Sequence, residues 1–300
     1  MAPGKAEDVP DARAAGHAKL VSALRAAALA VLVALWARRA ARTWNYGADQ
    51  VVTLANHEPT EVWDAKARDW PDDAVTLAAS SIGLTYVRGF VANDEASQLL
   101  AGCDVERGRW AARRSRADDS EGYPLARASP PEACPLLWAF FYLDKAEALK
   151  AKAPHLVGEL ELAWELTARA AARMGGVSPS RIEPIQLARY AEASEFPTHH
   201  DHSAYYAIGA EPLPTTERRV MTMLLFLGEP EEGGHLYFPN LDLEVVPRAG
   251  DAVFWQNVDE NGLPNEDALY AELPVGRGVK VTANVWVAEE PFTAEHHAHG

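Results

Sequence analysis

The sequence predicts a mainly β protein, a sandwich or barrel, with flanking α-helices. Two observations support this prediction. Beyond residue 180 the chain is a series of short apolar runs separated by turn residues, which is the pattern of many short strands. Ahead of them, residues 154–174 place apolar side chains at helical spacing, and Gly175 and Gly176 form a helix stop. Strands that follow a helical prelude favour a layered β architecture.

The elements are predicted in the following order. Residues 85–91 (TYVRGFV) form a strand, and Asn93 or Asp94 caps a short helix that ends at Gly102. The amphipathic helix 154–174 comes next. The later strands are predicted at residues 185–190, 220–227, 236–238, 243–246, 252–255 and 279–287.

The first 46 residues differ from the rest and are predicted to be a leader. Residues 20–37 (LVSALRAAALAVLVALWA) are interrupted by Arg25 and are shorter than the ~20 apolar residues that a membrane span needs. They predict a signal peptide or a signal anchor, with an Ala-rich amphipathic or organelle-targeting helix as the alternative. We therefore expect the endoplasmic reticulum or secretory pathway, with membrane anchoring through residues 20–37.

The charge divides the chain in the same place. Residues 1–46 carry seven Lys/Arg and three Asp/Glu, so the net charge of −15 is +4 in the leader and −19 in the remainder. A strongly acidic body repels phosphate backbones, so no nucleic-acid partner is expected. We divide the remainder into a linker or lead-in strand (47–81), one main domain (82–292) and a tail (293–300).

Two cysteines, Cys103 and Cys134, permit at most one intramolecular disulfide. Their spacing is not that of a zinc site. Two buried free thiols are the alternative.

A pair of potential metal ligands follows a strand-like run. In an extended segment His199 and Asp201 face the same way, and two histidines with one carboxylate are a typical iron site. Taken alone, the pair is more typical of a polar surface loop. In the last strand, alternation puts Lys280 on one face with polar and aromatic groups, although most lysines at such positions point to water.

The surroundings of this pair are more specific. Five residues match the pattern Tyr-x-x-Gly-x-x-Tyr-x-x-His-x-Asp, with alanine for the glycine and phenylalanine for the second tyrosine: Tyr190, Ala193, Phe196, His199 and Asp201. Four further blocks follow in order: Arg219-x-x-Thr222, Glu232-Gly233-Gly234 with Phe238-Pro239, Pro247-x-x-Gly250 with Phe254-Trp255, and Pro274-Val275-x-x-Gly278-x-Lys280 with Trp286. Together they resemble the catalytic domain of prolyl 4-hydroxylases, which are Fe(II)- and 2-oxoglutarate-dependent dioxygenases.

This resemblance implies a double-stranded β-helix (a jelly-roll, cupin-like barrel) with Fe(II), 2-oxoglutarate and ascorbate as cofactors. It implies hydroxylation of peptidyl proline with decarboxylation of 2-oxoglutarate to succinate. The residues carried over are iron ligands His199 and Asp201, 2-oxoglutarate-binding residues Lys280 and Tyr190, and a substrate groove lined by Tyr205, Tyr206 and Trp286.

The sequence departs from the family at two positions. The second iron-binding histidine lies four residues before Pro-Val and ten before the lysine, and both counts fall on Tyr270. A phenol, with an unperturbed pKa of about 10, replaces a neutral imidazole there. Leu236 stands where a family threonine helps to hold 2-oxoglutarate.

The Tyr270 replacement leaves several outcomes open. These are iron ligated by Tyr270, water in the third position, rescue by His235, His200 or His202, and loss of catalysis. The main prediction is a prolyl 4-hydroxylase-like dioxygenase. The alternatives are a catalytically impaired pseudo-oxygenase that acts as a peptide-binding module, and a cupin-like sugar or metal binder.

Overall fold

The computed structural model describes residues 59–68, 73–77, 82–105, 109–112, 131–203, 207–208, 211–212 and 218–293. The predicted leader 1–46, with its segment 20–37, lies outside these residues. Tyr205, Tyr206 and residues 294–300 also lie outside them. In the described ranges no helix is long and apolar enough to span a membrane.

The described elements are four α-helices, four short 3-10 turns and seventeen strands. The helices are α1 (Asn93–Val105), α2 (Ala139–Tyr142), α3 (Ala146–Lys152) and α4 (His155–Arg173). The 3-10 turns are Leu143–Lys145, Pro179–Arg181, Asp201–Ser203 and Glu266–Ala268. The strands are β1 (Glu61–Trp63), β2 (Ala74–Thr76), β3 (Thr85–Val87), β4 (Ala111–Ala112), β5 (Glu132–Pro135), β6 (Gln186–Tyr190), β7 (Phe196–His199), β8 (Ala207–Ile208), β9 (Glu211–Pro212), β10 (Arg219–Gly228), β11 (Glu232–Gly233), β12 (Leu236–Phe238), β13 (Leu243–Val245), β14 (Ala252–Gln256), β15 (Tyr270–Glu272), β16 (Val275–Arg277) and β17 (Lys280–Ala288).

Two main sheets contain most of these strands. The larger sheet has the order β2-β3-β14-β10-β17-β6-β5-β4, and the smaller one has the order β1-β13-β12-β15-β7. From β6 onward the chain alternates between the sheets: β6, β10, β14 and β17 lie in the larger sheet, and β7, β12, β13 and β15 lie in the smaller one. This strand order is that of the double-stranded β-helix, or jelly roll. The predicted mainly β fold class is therefore confirmed.

The helices and the second sheet cover opposite faces of the larger sheet. Apolar side chains of α4, among them Leu160 and Leu166, form one core with β10 and β17. Between the two sheets lies a second core that includes Trp255 and Phe238. Helix α4 ends as predicted, because Gly175 and Gly176 take positive φ angles of 87° and 77° that residues with a Cβ rarely adopt.

The region predicted as a linker or lead-in strand contributes to both sheets. Strand β1 pairs in parallel with β13, and β2 pairs with β3. The predicted domain start at residue 82 therefore leaves out two strands that belong to the barrel sheets.

The two cysteines form a disulfide. Cys103 in α1 is bonded to Cys134 in β5, and both residues are buried. The bond joins the helical layer to the larger sheet, and it excludes the alternative of two free thiols in this structure.

Candidate active site

The site lies between the two sheets, where β7 ends. In the small sheet His199 is the register partner of Tyr270. Directly after His199 the chain leaves the extended conformation and enters the turn that begins at Asp201. This change of direction brings His199 Nε2 to within 3.5 Å of Asp201 Oδ1. The structure therefore brings the two predicted metal ligands together.

The His199 ring is oriented by a backbone contact. Its Nδ1 lies 2.9 Å from the carbonyl oxygen of Pro197. A carbonyl can only accept a hydrogen bond, so Nδ1 carries the proton and the lone pair of the neutral ring is on Nε2. In the described part of the chain His199 Nε2 is buried and has no hydrogen-bond partner. Metal-binding histidines are held in this way by a contact to their other nitrogen.

Asp201 is fully buried, and one of its oxygens is heavily hydrogen-bonded. Oδ2 accepts hydrogen bonds from Thr222 Oγ1 at 2.7 Å, Trp286 Nε1 at 2.9 Å and Tyr270 OH at 3.1 Å. Burial raises the pKa of Asp201, but His199 in its protonated form, the charge of Arg219 and the hydrogen bond from the Thr222 hydroxyl outweigh it, so the pKa lies well below its usual range. The carboxylate is therefore held ionised without water contact.

A chain of buried polar groups supports this carboxylate. Asn257 Nδ2 donates to Thr222 Oγ1 over 2.8 Å. The Arg219 guanidinium lies 3.7 Å from the ring centre of Trp286 and donates to both oxygens of Glu183, at 2.6 Å each. The Arg and Thr of the sequence block Arg219-x-x-Thr222 thus both act on the site, Thr222 directly and Arg219 through Trp286.

Tyr270 occupies the third corner of the site. Its ring centre lies 4.3 Å from that of His199 and 5.0 Å from that of Trp255, and its hydroxyl points to Asp201. The phenol therefore donates a hydrogen bond to the carboxylate, over 3.1 Å. A neutral phenol in this position is a weak ligand compared with an imidazole.

Of the alternative histidines, His235 and His200 are engaged elsewhere. His235 Nδ1 lies 2.6 Å from Glu244. His200 Nε2 lies 2.8 Å from the carbonyl of Asn265, and its Nδ1 accepts from the backbone N–H of His202. Burial lowers the pKa of His200 to about 4. Both nitrogens of His200 are therefore already bonded, and His202 is buried beside it, with ring centres 6.0 Å apart.

Lys280 and Tyr190, the two residues predicted to bind 2-oxoglutarate, lie close together and both contact the carboxylate of Glu272. Lys280 Nζ lies 2.7 Å from Glu272 Oε2, and Tyr190 OH donates to Glu272 Oε1 over 2.7 Å. Lys280 also donates to the carbonyl of Gly234 at 2.8 Å. Lys280 and Glu272 are 1% and 1% exposed, so Lys280 does not point to water.

Residues 185–288 match the sequence model described as the 2OG-Fe(II) oxygenase superfamily. This segment is therefore similar to that superfamily. It spans the eight alternating strands of the barrel, and the resemblance to prolyl 4-hydroxylases that the sequence blocks indicated is thereby confirmed.

Curated relatives and solved structures with similar chains carry related names. The chain is 33% identical over 127 residues to prolyl 4-hydroxylase 13 of Arabidopsis thaliana, a match that covers 37% of this chain and 44% of the relative. It is 30% identical over 114 residues to human prolyl 4-hydroxylase subunit alpha-1, covering 38% and 21% respectively. The viral collagen prolyl hydroxylase of Paramecium bursaria Chlorella virus-1 superposes with a TM-score of 0.46 at 19% identity, covering 68% of this chain and 95% of that one. The matches to the two named sequence relatives cover less than half of their length.

The oxygenase family implies Fe(II) and 2-oxoglutarate, and the residues present fit them only in part. His199 fits a metal, because its ring is oriented and its Nε2 has no hydrogen-bond partner within the described ranges, and Oδ1 of Asp201, which faces that nitrogen, fits one as well. Tyr270 does not fit the family's second histidine, and the Lys280 ammonium is already paired with Glu272. Within the described ranges no three histidine, cysteine or acidic side chains are grouped as a metal site. The complete oxygenase ligand set is therefore not formed by these residues.

The predicted groove residues are only partly described. Tyr205 and Tyr206 lie outside the described residues. Trp286 is 1% exposed and its indole serves Asp201, so in this structure its ring does not line an open groove. Sequence reasoning missed two residues of the site, Thr222 as a partner of Asp201 and Glu272. The signal for Glu272 was its place two residues after Tyr270, because alternate residues of a strand face the same way.

Proposed function

We propose that this chain is a prolyl 4-hydroxylase-like protein that binds a proline-containing peptide on an oxygenase scaffold without turning over 2-oxoglutarate. The observation that carries the proposal is the Tyr270 hydroxyl, which stands in place of the second iron-binding imidazole and donates to Asp201 Oδ2. The site keeps one histidine and one carboxylate, and it lacks the third strong donor that the family uses.

The ligand class is supported by the relatives and by charge. The Arabidopsis and human relatives are named for action on prolyl residues. With a net charge of −15, the chain attracts basic more than acidic peptides. A basic, proline-rich peptide is therefore the ligand to try first.

The test measures peptide binding and turnover separately in the full chain. A fluorescent proline-rich peptide is titrated with and without Fe(II) and 2-oxoglutarate, and succinate release is assayed in air. We expect saturable peptide binding that does not require either cofactor, and no succinate above a metal-free control. Succinate release coupled to peptide hydroxylation in the unmodified protein would overturn the proposal, and so would absence of peptide binding.

The second candidate is the Fe(II)- and 2-oxoglutarate-dependent dioxygenase itself, acting on peptidyl proline. It is favoured by His199 Nε2, which is buried next to Asp201 Oδ1 and has no hydrogen-bond partner among the residues that the structure describes. The variant Tyr270→His separates the two candidates. Under the first, an anaerobic Fe(II) titration gives tighter binding in Tyr270→His than in the unmodified chain. Under the second, the unmodified chain already binds Fe(II) tightly.

We further propose the endoplasmic reticulum or secretory pathway as its location. Disulfides persist in oxidising compartments, so the Cys103–Cys134 bond supports this placement. Expression with and without residues 1–46, followed by protease protection of membrane vesicles, tests it. Equal cytosolic recovery of both forms would contradict it.

A further inference from the structure

The cluster formed by Lys280, Tyr190 and Glu272 carries a second conclusion, independent of Tyr270. The family resemblance assigns Lys280 to the distal carboxylate of 2-oxoglutarate and Tyr190 to the binding of the same co-substrate. In the structure both residues bind a carboxylate, but it is the side chain of Glu272. Each oxygen of Glu272 has its own partner, Oε1 the Tyr190 hydroxyl and Oε2 the Lys280 ammonium, both at 2.7 Å.

We propose that Glu272 is a built-in replacement for the distal carboxylate of 2-oxoglutarate, and that it determines specificity by excluding dicarboxylates from the pocket. This inference goes beyond the proposed function, because it concerns the co-substrate pocket and not the metal position. The carboxylate of Glu272 then occupies the place in the pocket that the co-substrate carboxylate would take.

The charge balance of the pocket supports exclusion. Lys280 is almost completely buried, and a buried ammonium needs an opposite charge. Glu272 supplies that charge. A dicarboxylate that entered would place a second negative charge beside the same ammonium, so it would first have to displace Glu272.

Strand β12, next to Glu272, presents an apolar side chain where a free dicarboxylate would need a hydrogen-bond donor. Leu236 is the register partner of Glu272 in β12, and it is 1% exposed. An apolar side chain therefore stands beside Glu272 at the position where the family has a hydroxyl. The wall that would help to hold a free acid is apolar here, whereas Glu272 reaches Lys280 from its own strand and needs no such contact.

The glycine pair that precedes Leu236 brings the backbone close to the same ammonium. Gly234 has a φ of 68°, and a Cβ at this position would lie 3.4 Å from Lys280 Cδ and 3.1 Å from Pro230 Cγ. Its carbonyl accepts a hydrogen bond from Lys280. Lys280 is thus held in place from the backbone side, and its charge is directed at Glu272.

The test uses ligand binding without added metal, so it does not depend on turnover. Glutarate and 2-oxoglutarate are titrated into the full chain by calorimetry, and the melting temperature is followed at millimolar ligand. We expect no saturable binding to the unmodified chain. Glu272→Ala is expected to melt lower and to be stabilised by both dicarboxylates, which refill the vacated place and bind with a dissociation constant at least about tenfold below the highest ligand concentration that leaves the unmodified chain unsaturated.

Two controls assign the gain to this pocket. The double variant Glu272→Ala/Lys280→Met should lose the dicarboxylate response. Glu159→Ala removes a different buried carboxylate, which pairs with Arg109 at 2.5 Å, and should melt lower without gaining dicarboxylate binding. If Glu272→Ala does not fold, Glu272→Gln keeps the side-chain volume and removes the charge, and it should also bind glutarate more tightly than the unmodified chain.

Equal dicarboxylate binding by the unmodified chain and the Glu272 variants would overturn the inference, as would a gain that persists without Lys280. These outcomes differ from failure of the proposed function, which is a matter of succinate release and peptide binding. If the unmodified chain releases no succinate and the Glu272 variants gain no dicarboxylate binding, this inference is wrong and the proposed function is unaffected.

Discussion

The guanidinium of Arg219 lies 3.7 Å from the ring centre of Trp286, and the indole N–H of the same tryptophan donates a hydrogen bond to Asp201. Stacking of this kind fixes the ring plane and so the direction of the N–H bond. Arg219 therefore acts through Trp286 and positions one of the three groups that donate hydrogen bonds to the Asp201 carboxylate.

We predict that Trp286→Phe lowers the free energy of unfolding by more than the smaller ring alone would lower it. The lost hydrogen bond to a charged acceptor is worth about 1.5–3 kcal/mol. Trp255→Phe is the matched control, because Trp255 is equally buried and its indole nitrogen has no hydrogen-bond partner in the described part of the chain. Urea unfolding measures both, and equal losses would argue against a specific role for the Trp286 N–H.

A second prediction concerns Thr222, whose hydroxyl donates to Asp201 and accepts from Asn257. Thr222→Val keeps the shape and leaves Asn257 without this acceptor, so we expect a loss of about 1–3 kcal/mol. Thr282→Val is the control. The Thr282 hydroxyl is buried without a partner among the described residues, so its removal should be neutral or stabilising in the same denaturation assay.

The third prediction concerns Ala193, which stands in place of the family glycine. Its φ is 60°, a conformation that costs a residue with a Cβ roughly 1–2 kcal/mol. Ala193→Gly should therefore raise the free energy of unfolding by about 1 kcal/mol. Ala191→Gly, at a position whose φ is not positive, should lower it slightly. A melting temperature that is lower for Ala193→Gly than for Ala191→Gly would show that the backbone of Ala193 is not strained.

The fourth prediction is a pH dependence at the start of the domain. Arg248 hydrogen-bonds Asp64 and, despite opposing burial, holds the pKa of Asp64 below its usual value of 3.8. A lowered folded-state pKa stabilises the protein above the unfolded value, and this stability is lost as the pH falls through the folded value. Asp64→Asn should therefore be destabilising at pH 7, and the difference should shrink below about pH 4.

The exposed pair of Asp73 and Arg173 provides the control for this measurement. Asp73 is 77% exposed in its side chain, so Asp73→Asn should change stability little at any pH. Chemical denaturation between pH 3 and pH 7 is the assay. A constant penalty for Asp64→Asn across this range would show that the charge of Asp64 is not what stabilises the fold.

The fifth prediction concerns the disulfide. Cys103 and Cys134 are 31 residues apart, and closing a loop of that length in the unfolded chain is worth roughly 3–4 kcal/mol. The double variant Cys103→Ala/Cys134→Ala should lose stability of that order. Addition of a reductant should lower the melting temperature of the unmodified chain and leave the double variant unchanged.

Much of this molecule could be predicted from its sequence, because the decisive signals were local. The apolar periodicity gave the long helix and the later strands, and the block spacing located His199, Asp201 and Tyr270. The pairing of β1 with β13 could not be predicted, since the partners are about 180 residues apart and β1 has three residues.

Glu272 was missed for a different reason. Its importance depends on which side chains meet across three strands, β6, β15 and β17. Spacing along β15 puts Glu272 on the same face as Tyr270, but it does not show which side chains of β6 and β17 meet Glu272 there. The resemblance to a known family also directed attention to Lys280 and Tyr190 as binders of a free ligand, and so away from a partner within the chain.

The three hydrogen bonds on one oxygen of Asp201 also limit its denticity. Oδ2 is saturated by Thr222, Trp286 and Tyr270, and a carboxylate oxygen has about two lone-pair sites. Oδ1 is the oxygen that faces His199 Nε2, at 3.5 Å. A cation between these two side chains would therefore be bound by a single oxygen of Asp201, and ions that require a chelating carboxylate would be disfavoured.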